Sequence, residues 1–240
     1  MSQFFITAEQ FSNILKFVEI RKNKAAPNNF DFWAIDFNDE LSAFSGKLLL
    51  HQTEFVNDCI RFLLSHYSES VHPTQKVVVV GHSMGGMVAR ALFFAENYVP
   101  HSVEVILTLS TPHWPVLLGD AHMESFYAHV NDKWRVHGGK LVSEKLENVS
   151  VVSLAGSFRD TLIDASLTDL SHLPFSHALS LTTSEIPSVW LQTDHQCILW
   201  CNQLMKVLST LLLSIISPKT RQATLPLSQR VSSFRSILFE

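Results

Sequence analysis

Apolar positions along this chain recur with two different periods, and the switching between them predicts the architecture. Phe32-Trp33-Ala34-Ile35-Asp36-Phe37 reads as a buried strand. From His51 to His66 the apolar residues Phe55, Val56, Cys59, Ile60, Leu63 and Leu64 fall at helical spacing, so this segment is expected to cover a sheet face. Val77-Val78-Val79-Val80 is a β-branched run with no polar alternation, which predicts a central parallel strand buried on both faces. A turn over Gly81 to Gly86 leads into a helix from Met84 to Ala95, and Val103 to Leu109 is the next strand. Residues 114 to 146 lack a clean period and are read as a helical insertion and candidate lid. Val149 to Leu154 is a further strand followed by a long polar loop, Val189 to Gln192 a last short strand, and Gln196 to Ile216 the closing helix. Near the start, Phe11 to Val18 is a short amphipathic helix and Lys22 to Asn29 a polar loop. Strands alternating with helices predict a mostly parallel sheet with helices on both faces. The segment 1–217 is assigned to one catalytic domain and 218–240, rich in Ser, Pro and Arg, to a loosely held tail.

Composition narrows the options. A chain of 240 residues with 46% hydrophobic and 17% charged residues can bury a sizeable core. The net charge of -4, without a long basic run, argues against nucleic-acid binding. Three cysteines, Cys59, Cys197 and Cys201, do not make a disulfide framework, and no His/Cys/Asp cluster has metal-ligand spacing. Neither a metal nor a cofactor is expected. Cys197 to Ile216 is apolar but interrupted by Asn202, Gln203 and Lys206, so a core helix is expected rather than a membrane span.

The chemistry concentrates at Gly81-His82-Ser83-Met84-Gly85, a G-x-S-x-G motif between the valine strand and a helix. A strand that turns straight into a helix holds its serine in a strained conformation at the carboxyl end of the sheet, and glycines let the flanking backbone pass closely. Ser83 is thus the candidate nucleophile. The Met84 N–H, at the helix N-terminus, is the candidate oxyanion donor. A serine needs a base, and in this arrangement an acid and then a histidine follow in loops after later strands. Asp160 follows Val149 to Leu154, and His195 follows Val189 to Gln192. Asp164, Asp169 and Asp194 compete for the acid role, and His172 and His177 for the base, among twelve histidines. His113 is placed where it can line the pocket; His82 points wrongly to serve its own neighbour.

Several stretches resemble the GPI inositol-deacylases of the endoplasmic reticulum. They are Phe32 to Phe44, Val80 to Arg90, Thr108-Leu109-Ser110-Thr111-Pro112-His113, Arg159-Asp160, and Trp190 to Cys201. The resemblance implies an α/β-hydrolase fold and hydrolysis of the acyl ester on the inositol of a GPI anchor, with GPI-anchored proteins as substrate. It implies Ser83 as nucleophile, His195 as base and Asp160 as acid, in an enzyme associated with the membrane of the endoplasmic reticulum and facing its lumen. Family members begin with a membrane anchor and a strand ending in an Ile-Pro-Gly-Asn-type loop that supplies a second oxyanion donor. Here Met1-Ser2-Gln3-Phe4 opens just after that point, so the N-terminal strands are expected to be lacking, the sheet edge exposed and the activity weak. A general lipase or lysophospholipase, and a catalytically inactive truncated isoform, are the competing readings.

Overall fold

The side chains of the valine strand alternate between two faces of a sheet. Val78 and Val80 pack into one apolar cluster and Val77 and Val79 into another, and all four are buried. With no solvated face, there is no position along this strand at which a polar residue is favoured. A computed structural model describes residues 2–6, 30–37, 44–69, 73–115, 120–216 and 225–240. The expected Phe11 to Val18 helix, the Lys22 to Asn29 loop and part of the Phe32 to Phe44 stretch lie outside the described residues.

Strands β1 (Ser2–Ile6), β2 (Phe30–Ala34), β3 (Val77–His82) and β4 (Val103–Leu109) are followed by a small antiparallel hairpin, β5 (Val136–His137) and β6 (Lys140–Leu141). Strands β7 (Ser150–Ala155) and β8 (Ala178–Thr182) complete a parallel sheet of order β2-β1-β3-β4-β7-β8 among the described residues. The expected α/β-hydrolase architecture is present, with one correction at its N-terminal side. Backbone of β1 pairs with both β2 and β3, so the valine strand has neighbours on both edges rather than an exposed one. The aromatic and β-branched composition of Phe4-Phe5-Ile6 suits that strand.

One face is covered by α1 (Gly46–His66), α2 (Met84–Ala91) and α3 (Ala121–Lys133). Helix α1 buries Leu49, Gln52, Thr53, Val56, Asn57, Ile60 and Leu63, the 3–4 spacing of one stripe. Phe55, expected on that stripe, is 48% exposed. Its start packs so tightly on α3 that a Cβ at Gly46 would lie 2.1 Å from the His122 carbonyl oxygen. Asp120 joins the two helices, accepting from Met123 N (2.7 Å) and Gly46 N (3.3 Å). The insertion expected at 114–146 therefore contains a packed helix, with Met123, Phe126, Tyr127 and Val130 buried.

The other face is covered by α4 (Asn202–Ser214) and α5 (Leu227–Phe239). Among the described residues no helix is long and apolar enough to cross a membrane. Two expectations are corrected here. Val189 to Gln192 is not a strand: Ser188 (φ 69°) and Trp190 (φ 44°) are left-handed, and the N–H groups of Val189 and Trp190 both donate to Ile186 O. The last strand is β8, earlier in the chain. The tail is not loosely held over 227–239. Val231, Phe234 and Leu238 are buried, and Arg230 pairs with Glu104 at 3.0 Å.

Candidate active site

The turn between β3 and α2 is as sharp as the motif requires. Ser83 sits at φ 53°, ψ -130°, a costly conformation for a residue with a Cβ. Its N–H donates to Leu109 O (2.9 Å), and its carbonyl accepts from Gly86 N (3.1 Å), so β4 and the helix share in holding it. The crowding falls on the flanking glycines. A Cβ on Gly81 would lie 2.5 Å from Gly86 N, and one on Gly86 would lie 2.1 Å from the Thr111 hydroxyl oxygen. Met84 is the first residue of α2, where backbone N–H groups have no partner within the helix.

Asp160 closes a short 3-10 turn, Ser157–Arg159, after β7. Its Oδ1 accepts from Leu162 N (3.1 Å) and Ile163 N (2.9 Å), while Oδ2 receives His195 Nδ1 at 3.0 Å. The carboxyl group is fully buried and the His195 side chain is 13% exposed. Burial alone pushes the Asp160 carboxyl up. The Ile163 N–H, the Ser110 hydroxyl and His195 outweigh it and hold the group below its ordinary value. The carboxylate therefore fixes the His195 tautomer with its proton on Nδ1, leaving Nε2 free to accept.

The rivals are elsewhere. Asp164 accepts from the backbone and hydroxyl of Ser166, Asp169 from those of Ser171, and Asp194 from Gln196 N and Cys197 N. Each serves its own turn. His172 lies against the Trp114 ring, 4.8 Å between centroids. His177 contacts Ser176 and Glu147 O near the start of β7, at the opposite end of the sheet. His113 is fully buried rather than pocket-lining. Arg90 donates to its Nδ1 (3.4 Å), so Nε2–H donates to Thr108 Oγ1 (3.1 Å), and Thr108 in turn reaches Val152 O (3.5 Å). Burial and the Arg90 charge hold the His113 ring neutral, well below its ordinary pKa. This chain ties the Ser110 to His113 segment to both α2 and the sheet.

The structure adds one contact that sequence spacing does not show: His82 packs on His195 with ring centroids 4.6 Å apart. The His82 signal was present in the variable position of G-x-S-x-G, where a side chain beside the serine must face something.

A parallel sheet with a strained serine at its central turn, and an Asp–His pair in loops after the later strands, has the architecture of the α/β-hydrolase fold. A gene product of Listeria innocua has this fold, with a TM-score of 0.53 at 11% identity, covering 95% of this chain and 99% of that one. The chain belongs to the PGAP1-like alpha/beta domain family, whose sequence model matches residues 3–215. It is 38% identical over 219 residues to a GPI inositol-deacylase of Xenopus laevis, covering 90% of this chain and 23% of that protein. It is 37% identical over 217 residues to GPI inositol-deacylase B of Yarrowia lipolytica, covering 87% and 23% respectively. The chain thus spans under a quarter of the length of these relatives.

Proposed function

We propose that this chain is a serine esterase domain that hydrolyses the acyl ester on the inositol of GPI anchors carried by proteins. The observation that carries the reading is the His195–Asp160 bond of 3.0 Å in loops at the same end of the sheet as the strained Ser83. Kinship with GPI inositol-deacylases supplies the substrate class. In this mechanism His195 Nε2 takes the Ser83 proton as the hydroxyl attacks the acyl carbonyl. The Met84 N–H stabilises the oxyanion. His195 then protonates the departing inositol oxygen, and water, deprotonated by His195, releases the acyl group from Ser83. Asp160 stays ionised throughout and stabilises the imidazolium. The same kinship supports the membrane of the endoplasmic reticulum, with a lumenal catalytic face, as its working place.

The test has two arms. Labelling by a fluorophosphonate probe reports an activated serine, and release of the inositol-linked acyl chain from GPI-anchored protein reports the substrate. Ser83→Ala and His195→Ala are each expected to reduce both by at least ~10³-fold. Cleavage of glycerolipid esters without inositol deacylation moves the reading to a general lipase. Absence of Ser83-dependent labelling refutes the esterase altogether.

A further inference from the structure

The base has far to travel to meet the nucleophile. His195 belongs to the segment after β8, and β8 is separated from β3 by β4 and β7. Three strand spacings make about 14 Å across the sheet. The chain between Thr182 and His195 crosses that distance without regular secondary structure. Its backbone is fixed partway by Thr193 N donating to Gly156 O (2.8 Å), which ties it to the loop after β7. The Asp160 bond orients the His195 ring but also comes from the β7 side. Neither contact reaches the strand that carries Ser83.

His82 does reach it. Its Nε2 is 2.7 Å from the His195 carbonyl oxygen, and the two rings lie 4.6 Å apart, tilted at 45°. A carbonyl oxygen only accepts, so His82 must carry a proton on Nε2. We propose that His82 is a positioning residue: its Nε2–H bolts the backbone of the base to the residue next to the nucleophile, setting the separation of His195 from Ser83. This rests on the serine-esterase reading. A neutral ring is what the role requires, since His195 becomes positively charged in each cycle and a second charge beside it would oppose that step. Burial, with the His195 charge as the second cause, lowers the His82 pKa to about 4, while the bond to the His195 carbonyl and then the Asp160 charge oppose the shift only in part. The titratable groups that act on the His82 ring are therefore His195 and Asp160.

The experiment compares His82→Gln, His82→Asn and His82→Leu in the full chain, using fluorophosphonate labelling of Ser83 and hydrolysis of a short-chain p-nitrophenyl ester. A side-chain amide on glutamine places an N–H about where Nε2 lies; asparagine carries the same group but stops short; leucine has none. Displacing a catalytic group by about 1 Å costs roughly 10²-fold. Leucine and asparagine are expected to lower the labelling rate and kcat by roughly 10–100-fold with KM changed by less than about two-fold, and glutamine to restore most of the loss. A role confined to folding would instead lower the thermal midpoint without a kcat-specific loss or rescue by glutamine. Ring-nitrogen NMR gives a readout independent of activity, and is expected to show His82 as the neutral Nε2–H form at pH 6. Wild-type rates in folded His82→Leu, or a His82 ring that titrates near 6.5, overturn the proposal while leaving the esterase standing. An unlabelled wild-type chain overturns both.

Discussion

At the carboxyl end of the parallel sheet most of the strained backbone is found in the loops; at the amino end the same strands start from a buried ion-pair network. Five of the six non-glycine residues with positive φ among the described residues, Ser83, Ser110, Ser157, Ser188 and Trp190, lie in segments after β3, β4, β7 and β8; the sixth, His101, precedes β4. Each costs on the order of 1–3 kcal/mol. Large apolar side chains are also left in solvent there, with Phe158 90% and Trp190 70% exposed on loops that carry Asp160 and His195. At the amino end Glu104 receives Lys76 (2.5 Å) and Arg230 (3.0 Å), and Arg230 also donates to the carbonyls of Leu225 (2.7 Å) and Asn148. The Arg230 side chain is 1% exposed. Polar groups at one end are spent on joining α5 to the sheet, and at the other on a buried carboxylate whose partner is a histidine with a free nitrogen. A core shared by both ends lets the second be strained, because the strands between them are buried on both faces.

The largest effect that would sharpen this contrast is expected from Asp160→Asn. An amide in place of Oδ2 presents N–H to His195 Nδ1 and favours the tautomer in which Nε2 holds the proton, which cannot then accept from Ser83. Loss of roughly 10²–10⁴-fold in labelling rate and kcat is expected, with cooperative unfolding retained. Asp164→Asn and Asp169→Asn, which alter local turns only, are expected to stay within about three-fold. An inactive Asp164→Asn beside an active Asp160→Asn would break the assignment.

Arg230→Met is the matching change at the other end. It leaves Glu104 with Lys76 alone and strips a donor from the Leu225 and Asn148 carbonyls. Removing one partner of a buried pair costs about 3 kcal/mol, or roughly 150-fold in the folding equilibrium. The urea midpoint should fall accordingly. The rate of Ser83 labelling, measured where the variant remains folded, should change by less than about two-fold. A labelling loss without a shift in midpoint would show that the two ends are coupled.

What the sequence conceals follows the same division. The valine strand and its elbow are legible because burial on both faces and a strand-to-helix turn leave local marks. Asp160 and His195 are legible as positions in loops. β8 is hard to see because Ala178-Leu179-Ser180-Leu181-Thr182 mixes small and polar residues, whereas Val189-Trp190-Leu191 has strand composition on a backbone that positive φ at Ser188 and Trp190 forbids from pairing. The role of α5 is hidden because Arg230 reads as a surface charge until Glu104, 126 residues earlier, is brought beside it. The partner of His82 is hidden for the same reason: it is a backbone carbonyl 113 positions away.

Acid sensitivity gives the smallest effect and tests the two ends together. The His82 ring has its pKa lowered to about 4 in the folded protein, against about 6.5 when unfolded. Above pH 6.5 neither state binds the proton, and the full stability is present. As pH falls towards 4 the unfolded chain takes a proton that the folded one declines, so stability drops through that window. Asp160, held below its ordinary value, keeps its contribution until lower pH, because a depressed carboxylate loses stability only as pH falls through its folded pKa. The thermal midpoint should therefore fall between pH 7.5 and pH 5, and His82→Gln should flatten that fall. His177→Gln, at the amino end, should flatten it less, since the His177 ring is only partly buried and its bond to Glu147 O opposes the lowering. An equal slope in wild type and His82→Gln would mean that the ring beside His195 is not kept neutral by the fold.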